Sequence, residues 1–169
     1  MKLVKKKAGE PAAPTPQPLT WKLLVVDDEP DVISVSQLSL KGFTFAGRPL
    51  EIVTATSAYA AREQLAKHSD IAVALIDVVM ETDDAGLKLV EYIRNELGNA
   101  MMRIVIRTGQ PGVAPERFVI DHYDIDDYKD KTELTATRLY TTVRTAIKSY
   151  RDLKTIDLNR IGLSHVLAA

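Results

Sequence analysis

Ile71-Ala72-Val73-Ala74-Leu75-Ile76-Asp77 is the stretch that decides the fold. Six apolar residues in a row are too few to cross a bilayer. They lack the alternation of a half-exposed strand and suit a parallel strand covered on both faces. The run stops in a carboxylate, which is costly at the end of so apolar a strand unless something binds it. A second run, Leu23-Leu24-Val25-Val26, stops in Asp27-Asp28-Glu29. Pro30 then suits the first turn of a helix carrying Val32, Val35 and Leu38.

Outward from these two strands the pattern repeats. Gly42 to Pro49 reads as a loop and Glu51 to Thr54 as a second strand. Ser57 can cap a helix with Ala58, Ala61 and Leu65 on one face. After Asp77 a loop runs to Gly86, followed by a helix with Leu87, Val90, Ile93 and Leu97. Arg103 to Arg107 is a fourth strand ending at Thr108-Gly109, with both arginines expected to be exposed at its ends. Pro115 opens a short helix, Ile125 to Tyr128 is a fifth strand leading to Lys131, and a last helix begins between Thr132 and Thr135 with Leu139, Val143 and Ile147. Strand and helix alternate five times, which predicts an α/β doubly wound, five-stranded parallel sheet with helices on both faces. Right-handed crossovers leave a few topologies, the flavodoxin-like order 2-1-3-4-5 among them.

Composition bounds the rest. The 169 residues are 46% apolar and 27% charged, with a net charge of -1. That profile gives no global drive toward nucleic acid or a membrane surface. The absence of cysteine removes disulfides and thiolate chemistry and fits a reducing compartment. The lysines at the N-terminus precede no apolar signal-peptide core, so the expected location is cytoplasmic. Residues 1–20, basic and then rich in Pro and Ala, read as a disordered arm; residues 21–150 form the domain, and 151–169 a helical linker or extension of the last helix.

Ligands of open α/β sheets bind beyond the carboxyl ends of the strands. Asp27 and Asp28 end the first strand, Asp77 the third and Thr108 the fourth, while Lys131 follows the fifth. In the 2-1-3-4-5 order these converge on one pocket. Clustered carboxylates repel and call for a cation; an oxygen-seeking divalent ion such as Mg²⁺ fits. With Lys131 it would clamp a phosphoryl group that one carboxylate could accept as an acyl phosphate.

Val25-Val26-Asp27-Asp28-Glu29-Pro30, Asp77 after an apolar strand, Thr108, and Tyr128 three residues before Lys131 together resemble the receiver domain of two-component response regulators, over about residues 22–150. The resemblance implies the 2-1-3-4-5 order and a phosphorylation switch. Asp77 would be the phosphoacceptor. Asp28, Asp77 and the backbone carbonyl of Val79 would ligate Mg²⁺ or Mn²⁺, with Asp27 acting through water. Lys131 and Thr108 would hold the phosphoryl group, and Thr108 and Tyr128 would switch the surface of helix 4, strand 5 and helix 5. Val79 and Gln110 would tune the phosphoryl lifetime. The implied partners are a sensor histidine kinase or phosphotransfer protein and an output domain in a longer protein, with no nucleic acid or membrane partner. No enzymatic activity is expected beyond self-catalysed phosphoryl transfer and hydrolysis.

The pattern departs from the family in three places. Thr132 follows Lys131 where proline is usual, leaving that loop less constrained; Met80-Glu81 replaces Met-Pro; and Thr82-Asp83-Asp84 lengthens the loop after Asp77 by one residue. Alternatives are a degenerate receiver that binds partners without phosphorylation, an aspartate-based phosphohydrolase, which Val79 two residues after the nucleophile disfavours, and a nucleotide or flavin module, for which the glycine-rich loop is missing. Gly42-Phe43-Thr44-Phe45 and Met80 to Gly86 also resemble receivers that precede a sensory domain in multidomain regulators, some with cyclic-dinucleotide phosphodiesterase or kinase outputs. Leu139, Val143, Ala146, Tyr150 and Leu153 recur at heptad spacing. That spacing predicts a helix running past the domain, ended by Gly162 and able to support a weak homodimer.

Overall fold

The computed structural model describes residues 19–110, 112 and 115–167, with side chains to Leu163. Residues 1–18 of the expected arm lie outside the described residues. In chain order the elements are β1 (Trp21–Val26), α1 (Pro30–Ser39), β2 (Thr44–Phe45), β3 (Arg48–Ala55), α2 (Ala58–Lys67), β4 (Ile71–Ile76), α3 (Ala85–Glu91), β5 (Arg103–Thr108), α4 (Glu116–His122), β6 (Asp127–Asp130) and α5 (Ala136–Leu167). A π-helical turn, Tyr92–Glu96, continues α3.

The sheet has six strands in the order β2-β3-β1-β4-β5-β6. All neighbours pair in parallel except β2, which runs antiparallel to the start of β3. The five-stranded expectation is corrected here. The segment Gly42 to Pro49 is a hairpin, not a plain loop, turning through Ala46 and Gly47 at φ +50° and +71°. Two positive-φ residues make the tight turn that matches strand twist. Phe45 then buries its ring and accepts a hydrogen bond at its carbonyl from Trp21 Nε1 at 2.9 Å.

The central strands are buried on both faces, so alternate residues feed two cores. Leu24, Val26, Ala74, Ile76, Ile104 and Ile106 pack with α2, α3 and α4 through Ala61, Leu65, Leu89, Ile93 and Val119. Leu23, Val25, Val73, Leu75 and Val105 pack with α1 and α5 through Ile33, Leu139, Val143 and Ile147. Large apolar side chains such as these each contribute about 1.5–3 kcal/mol on burial. The register pairs Val26 with Ala55 and Ile76, and Ile76 with Ile106. These strands therefore finish level, and the residues that follow them share one rim.

Leu139, Val143, Ala146 and Tyr150 are buried in this second core. Their heptad spacing serves the domain's own packing, and that part of the seam is closed to a partner. Gly162 does not end α5, which runs on to Leu167; a single interior glycine costs only about 1 kcal/mol. Ile156, Leu158, Ile161 and Leu163 stand exposed on that extension. Among the described residues no helix is long and apolar enough to cross a membrane.

Candidate functional site

Backbone pairing continues one residue past the strands and sets the rim. Asp27 N–H donates to Ala55 O at 3.1 Å, and Asp77 N–H to Val26 O at 2.9 Å. Both aspartates are thereby locked in register, and their side chains share the face of Val25 and Leu75. Asp27 is fully buried, Asp77 is 4% exposed, and Asp28 faces solvent. One oxygen from each of the three lies within 4.8 Å of the others.

Lys131 enters from the loop after β6. Its backbone N–H donates to Thr108 O at 2.8 Å, which fixes the chain beside the end of β5. Its Nζ lies 2.8 Å from Asp27 Oδ2, 3.1 Å from Asp77 Oδ2 and 3.5 Å from Glu29 Oε1. The loop expected to be less constrained without proline is held another way. Asp130 Oδ1 accepts from the Thr132 N–H at 2.9 Å and the Thr132 hydroxyl at 2.8 Å.

A cleft of about 150 Å³ opens over this cluster, lined by Asp28, Glu29, Asp77, Val79, Thr108, Gly109, Gln110 and Lys131. Thr108 Oγ1 accepts the Gln110 N–H at 3.1 Å. Tyr128 is placed apart from the cleft. It pairs with Ile106 in the sheet and is buried with Val119 in the first core. Val79 lines the cleft and also packs against that core.

Burial pushes the Asp77 carboxyl above its ordinary value; the hydrogen bond from Lys131 opposes this, and the charges of Asp27 and Asp28 add to it. Burial works against the Lys131 ammonium, but its hydrogen bonds to Asp27 and Asp77 outweigh that and raise it overall. Three clustered aspartates and Glu29, with one ammonium among them, form an oxygen-rich donor set short of positive charge. That chemistry fits a divalent cation of the Mg²⁺ type.

Three neighbours of the site were not legible as such. Arg107, expected to be exposed, is 4% exposed and lies beneath the pocket on the α1 side. The alternation Ile104, Val105, Ile106 across two buried faces was the available signal, because it aims residue 107 inward with Val105. Gly86 packs on the backbone of Asp77: a Cβ there would sit 1.8 Å from Asp77 O. Glu81, the departure from Met-Pro, accepts from the N–H groups of Ala58 at 2.8 Å and Tyr59 at 3.2 Å. It joins Ser57, whose hydroxyl accepts from Ala60 N–H, in capping α2.

No family model matches the chain. It is 52% identical over 149 residues to the 3'3'-cGAMP-specific phosphodiesterase 2 of Vibrio cholerae serotype O1, covering 88% of this chain and 28% of that protein. The chain thus spans less than a third of that relative's length. Among solved structures it is similar to a response regulator receiver domain protein from Clostridium thermocellum, with TM-score 0.64 and 22% identity over 79% of this chain and 98% of the other. It is also similar to the signal receiver domain of an HD domain-containing protein from Pseudomonas fluorescens, with TM-score 0.68 and 18% identity over 85% and 98% of the two chains. The layout of the sheet, the acidic rim and these likenesses together establish that the chain has the receiver-domain fold of response regulators.

Proposed function

We propose that the chain is a phosphorylation-controlled signalling switch whose phosphoacceptor is Asp77. The observation that carries this reading is the joining of Asp27, Asp28 and Asp77 within 4.8 Å at a cleft, with the Lys131 ammonium paired to Asp27 and Asp77. The donor is a phosphohistidine on a partner kinase or phosphotransfer protein. An Asp77 carboxylate oxygen attacks phosphorus, the O–P bond forms as the N–P bond breaks, and the imidazole leaves with the electron pair. Asp28, Asp77 and the Val79 carbonyl would hold Mg²⁺ or Mn²⁺, with Asp27 behind them. When bound, the ion supplies charge neutralisation for the transferring group.

Lys131 gives up its contact with Asp77 and follows the phosphoryl oxygens. The Thr108 hydroxyl exchanges the Gln110 N–H for the same group, which shifts the loop after β5. Tyr128, packed beside Ile106 under α4, would transmit that shift to the α4-β6-α5 surface. Val79 offers no hydrogen bond to an attacking water, so the phosphoryl group would be long-lived, and Val79→Asn would shorten its life. The phosphodiesterase relative favours an output domain beyond α5 in a longer protein, with turnover of a cyclic dinucleotide as the controlled activity.

Incubation with Mg²⁺ and acetyl phosphate, read by intact mass, tests the assignment. Wild type should gain one phosphoryl group, and Asp77→Asn and Asp28→Asn should gain none. Labelling that persists in Asp77→Asn would refute the phosphoacceptor.

A further inference from the structure

We propose that Arg107 is a second, resident cation of the acidic pocket and that it weakens the pocket's hold on a divalent metal ion. The proposal rests on the reading of this pocket as a Mg²⁺ site. Arg107 follows Ile106 on the last turn of the pleat in β5 and points to the α1 side, where Val105 points one pair earlier. Its side chain is 5% exposed. Nη1 donates to Ser36 Oγ at 2.8 Å, and the Ser36 hydroxyl donates onward to Val32 O at 2.7 Å. Ser36 is itself buried, so α1 fixes the guanidinium in place. Nη2 makes no hydrogen bond and lies 3.9 Å from Asp27 Oδ2.

A buried guanidinium with an unmet donor is costly, and an apolar side chain would pack there without that cost. What Arg107 gains is its attraction to Asp27 and Asp77. Asp27 Oδ1 accepts the Glu29 N–H at 2.9 Å, while Oδ2 has no geometrically formed hydrogen bond and meets Lys131 at 2.8 Å and Arg107 at 3.9 Å as ion pairs. Against Asp27, Asp28, Asp77 and Glu29, Lys131 alone would leave three carboxylate charges unbalanced for a divalent ion, and Arg107 leaves two. Lys131 sits in the cleft on a flexible stem and can move aside. Arg107 is held from behind and cannot, so a bound metal always meets its charge. Repulsion between a divalent ion and a fixed cation several ångströms away, in a partly hydrated site, corresponds to about a tenfold loss of affinity.

Mg²⁺ affinity measured by amide NMR, and Mn²⁺ affinity by EPR, test this on the full chain. Arg107→Met and Arg107→Gln, which remove the charge, should each bind either ion about tenfold more tightly than wild type. Arg107→Lys, which keeps the charge, should stay near wild type. Equal or weaker binding in whichever neutral variants keep the native amide spectrum would overturn the role of Arg107. Failure of every protein to bind either ion, with no acetyl-phosphate labelling of Asp77, would instead overturn the metal site itself.

Discussion

Arg94 and Arg107 are both buried arginines, set at opposite edges of one sheet. Arg94 works at the edge where β5 and β6 begin. With 6% of its side chain exposed, it donates to the carbonyls of Asn99, Met102 and Asp124 at 3.0, 2.6 and 2.9 Å and to Asp126 Oδ2 at 3.1 Å. Asp126 in turn accepts from Ile104 N–H at 2.7 Å and pairs with Arg103. Arg107 sits where the strands end and, among the described residues, makes a single hydrogen bond, to Ser36. Burial lowers both guanidinium pKa values as the leading cause, so both charges are under strain from desolvation. At one edge hydrogen bonds compensate that strain. At the other it is left standing beside a carboxyl group that burial has also pushed up. A fully paired network holds the fold, whereas a half-paired one stays responsive to an incoming ion or phosphoryl group.

The largest expected effect lies at the paired edge. Arg94→Ala removes one of the two arginine partners of Asp126 and takes the guanidinium donor from three carbonyls, and each buried acceptor left unmet costs about 1–3 kcal/mol. Denaturant unfolding should show that loss. Arg107→Met at the other edge should cost far less, because it removes an unmet donor as well as a charge. Equal losses in the two variants would show that both arginines serve the fold alike.

Gly86→Ala should come next. A methyl placed 1.8 Å from Asp77 O cannot be accommodated unless α3 or the Asp77 backbone moves. Overpacking of this kind costs about 1–3 kcal/mol. The distinguishing mark is that acetyl-phosphate labelling should fall together with stability, since the displaced atom belongs to Asp77.

How far the molecule was legible in its sequence follows the same division. Uninterrupted apolar runs ending in acid exposed the central strands and the rim, because burial on both faces leaves no other residue type in a parallel strand. The meeting of Asp27, Asp28, Asp77, Thr108 and Lys131 followed from their places at strand ends together with the 2-1-3-4-5 order that the family resemblance implied. The two-residue β2 was too short for periodicity, and its turn is built on Ala46, a residue with no turn signature. Arg107 was misplaced because the strand was ended one residue early; β5 runs to Thr108, which puts Arg107 inside the ladder. The α5 extension past Gly162 was missed because glycine is a stop signal only when something else also favours stopping. Glu81 could not be placed from sequence, since its partners lie more than twenty residues away.

Asp77→Asn should make the protein more stable near neutral pH, because the carboxylate it removes is disfavoured by burial. The sign follows from the direction of the shift. A carboxyl held above its ordinary value by burial favours folding in its neutral form, and that contribution fades as pH rises through the folded pKa. The advantage of the neutral variant should therefore be full at pH 7 and vanish below the ordinary Asp value of 3.8. A variant less stable than wild type at pH 7 would mean that the Lys131 contact outweighs desolvation, and that this edge is as well paired as the other.

Glu81, at the same end of the sheet as Asp77, is a carboxylate with its partners supplied. Burial alone would raise it, but the N–H groups of Ala58 and Tyr59 hold it below the ordinary Glu value. The bond spans from the loop after Asp77 to the first turn of α2, so the same contact caps a helix and pins the loop that carries Val79 and Met80. Glu81→Ala should cost about 1 kcal/mol, the usual worth of a helix cap. A group whose folded pKa is depressed contributes above its unfolded pKa, so the gap between wild type and variant should be full at pH 7. It should close as pH falls below 4.5, opposite in direction to the Asp77→Asn profile. Urea unfolding of the two proteins across that range measures it. A gap that does not change with pH would show that Glu81 acts by packing and not by its charge on the α2 amides.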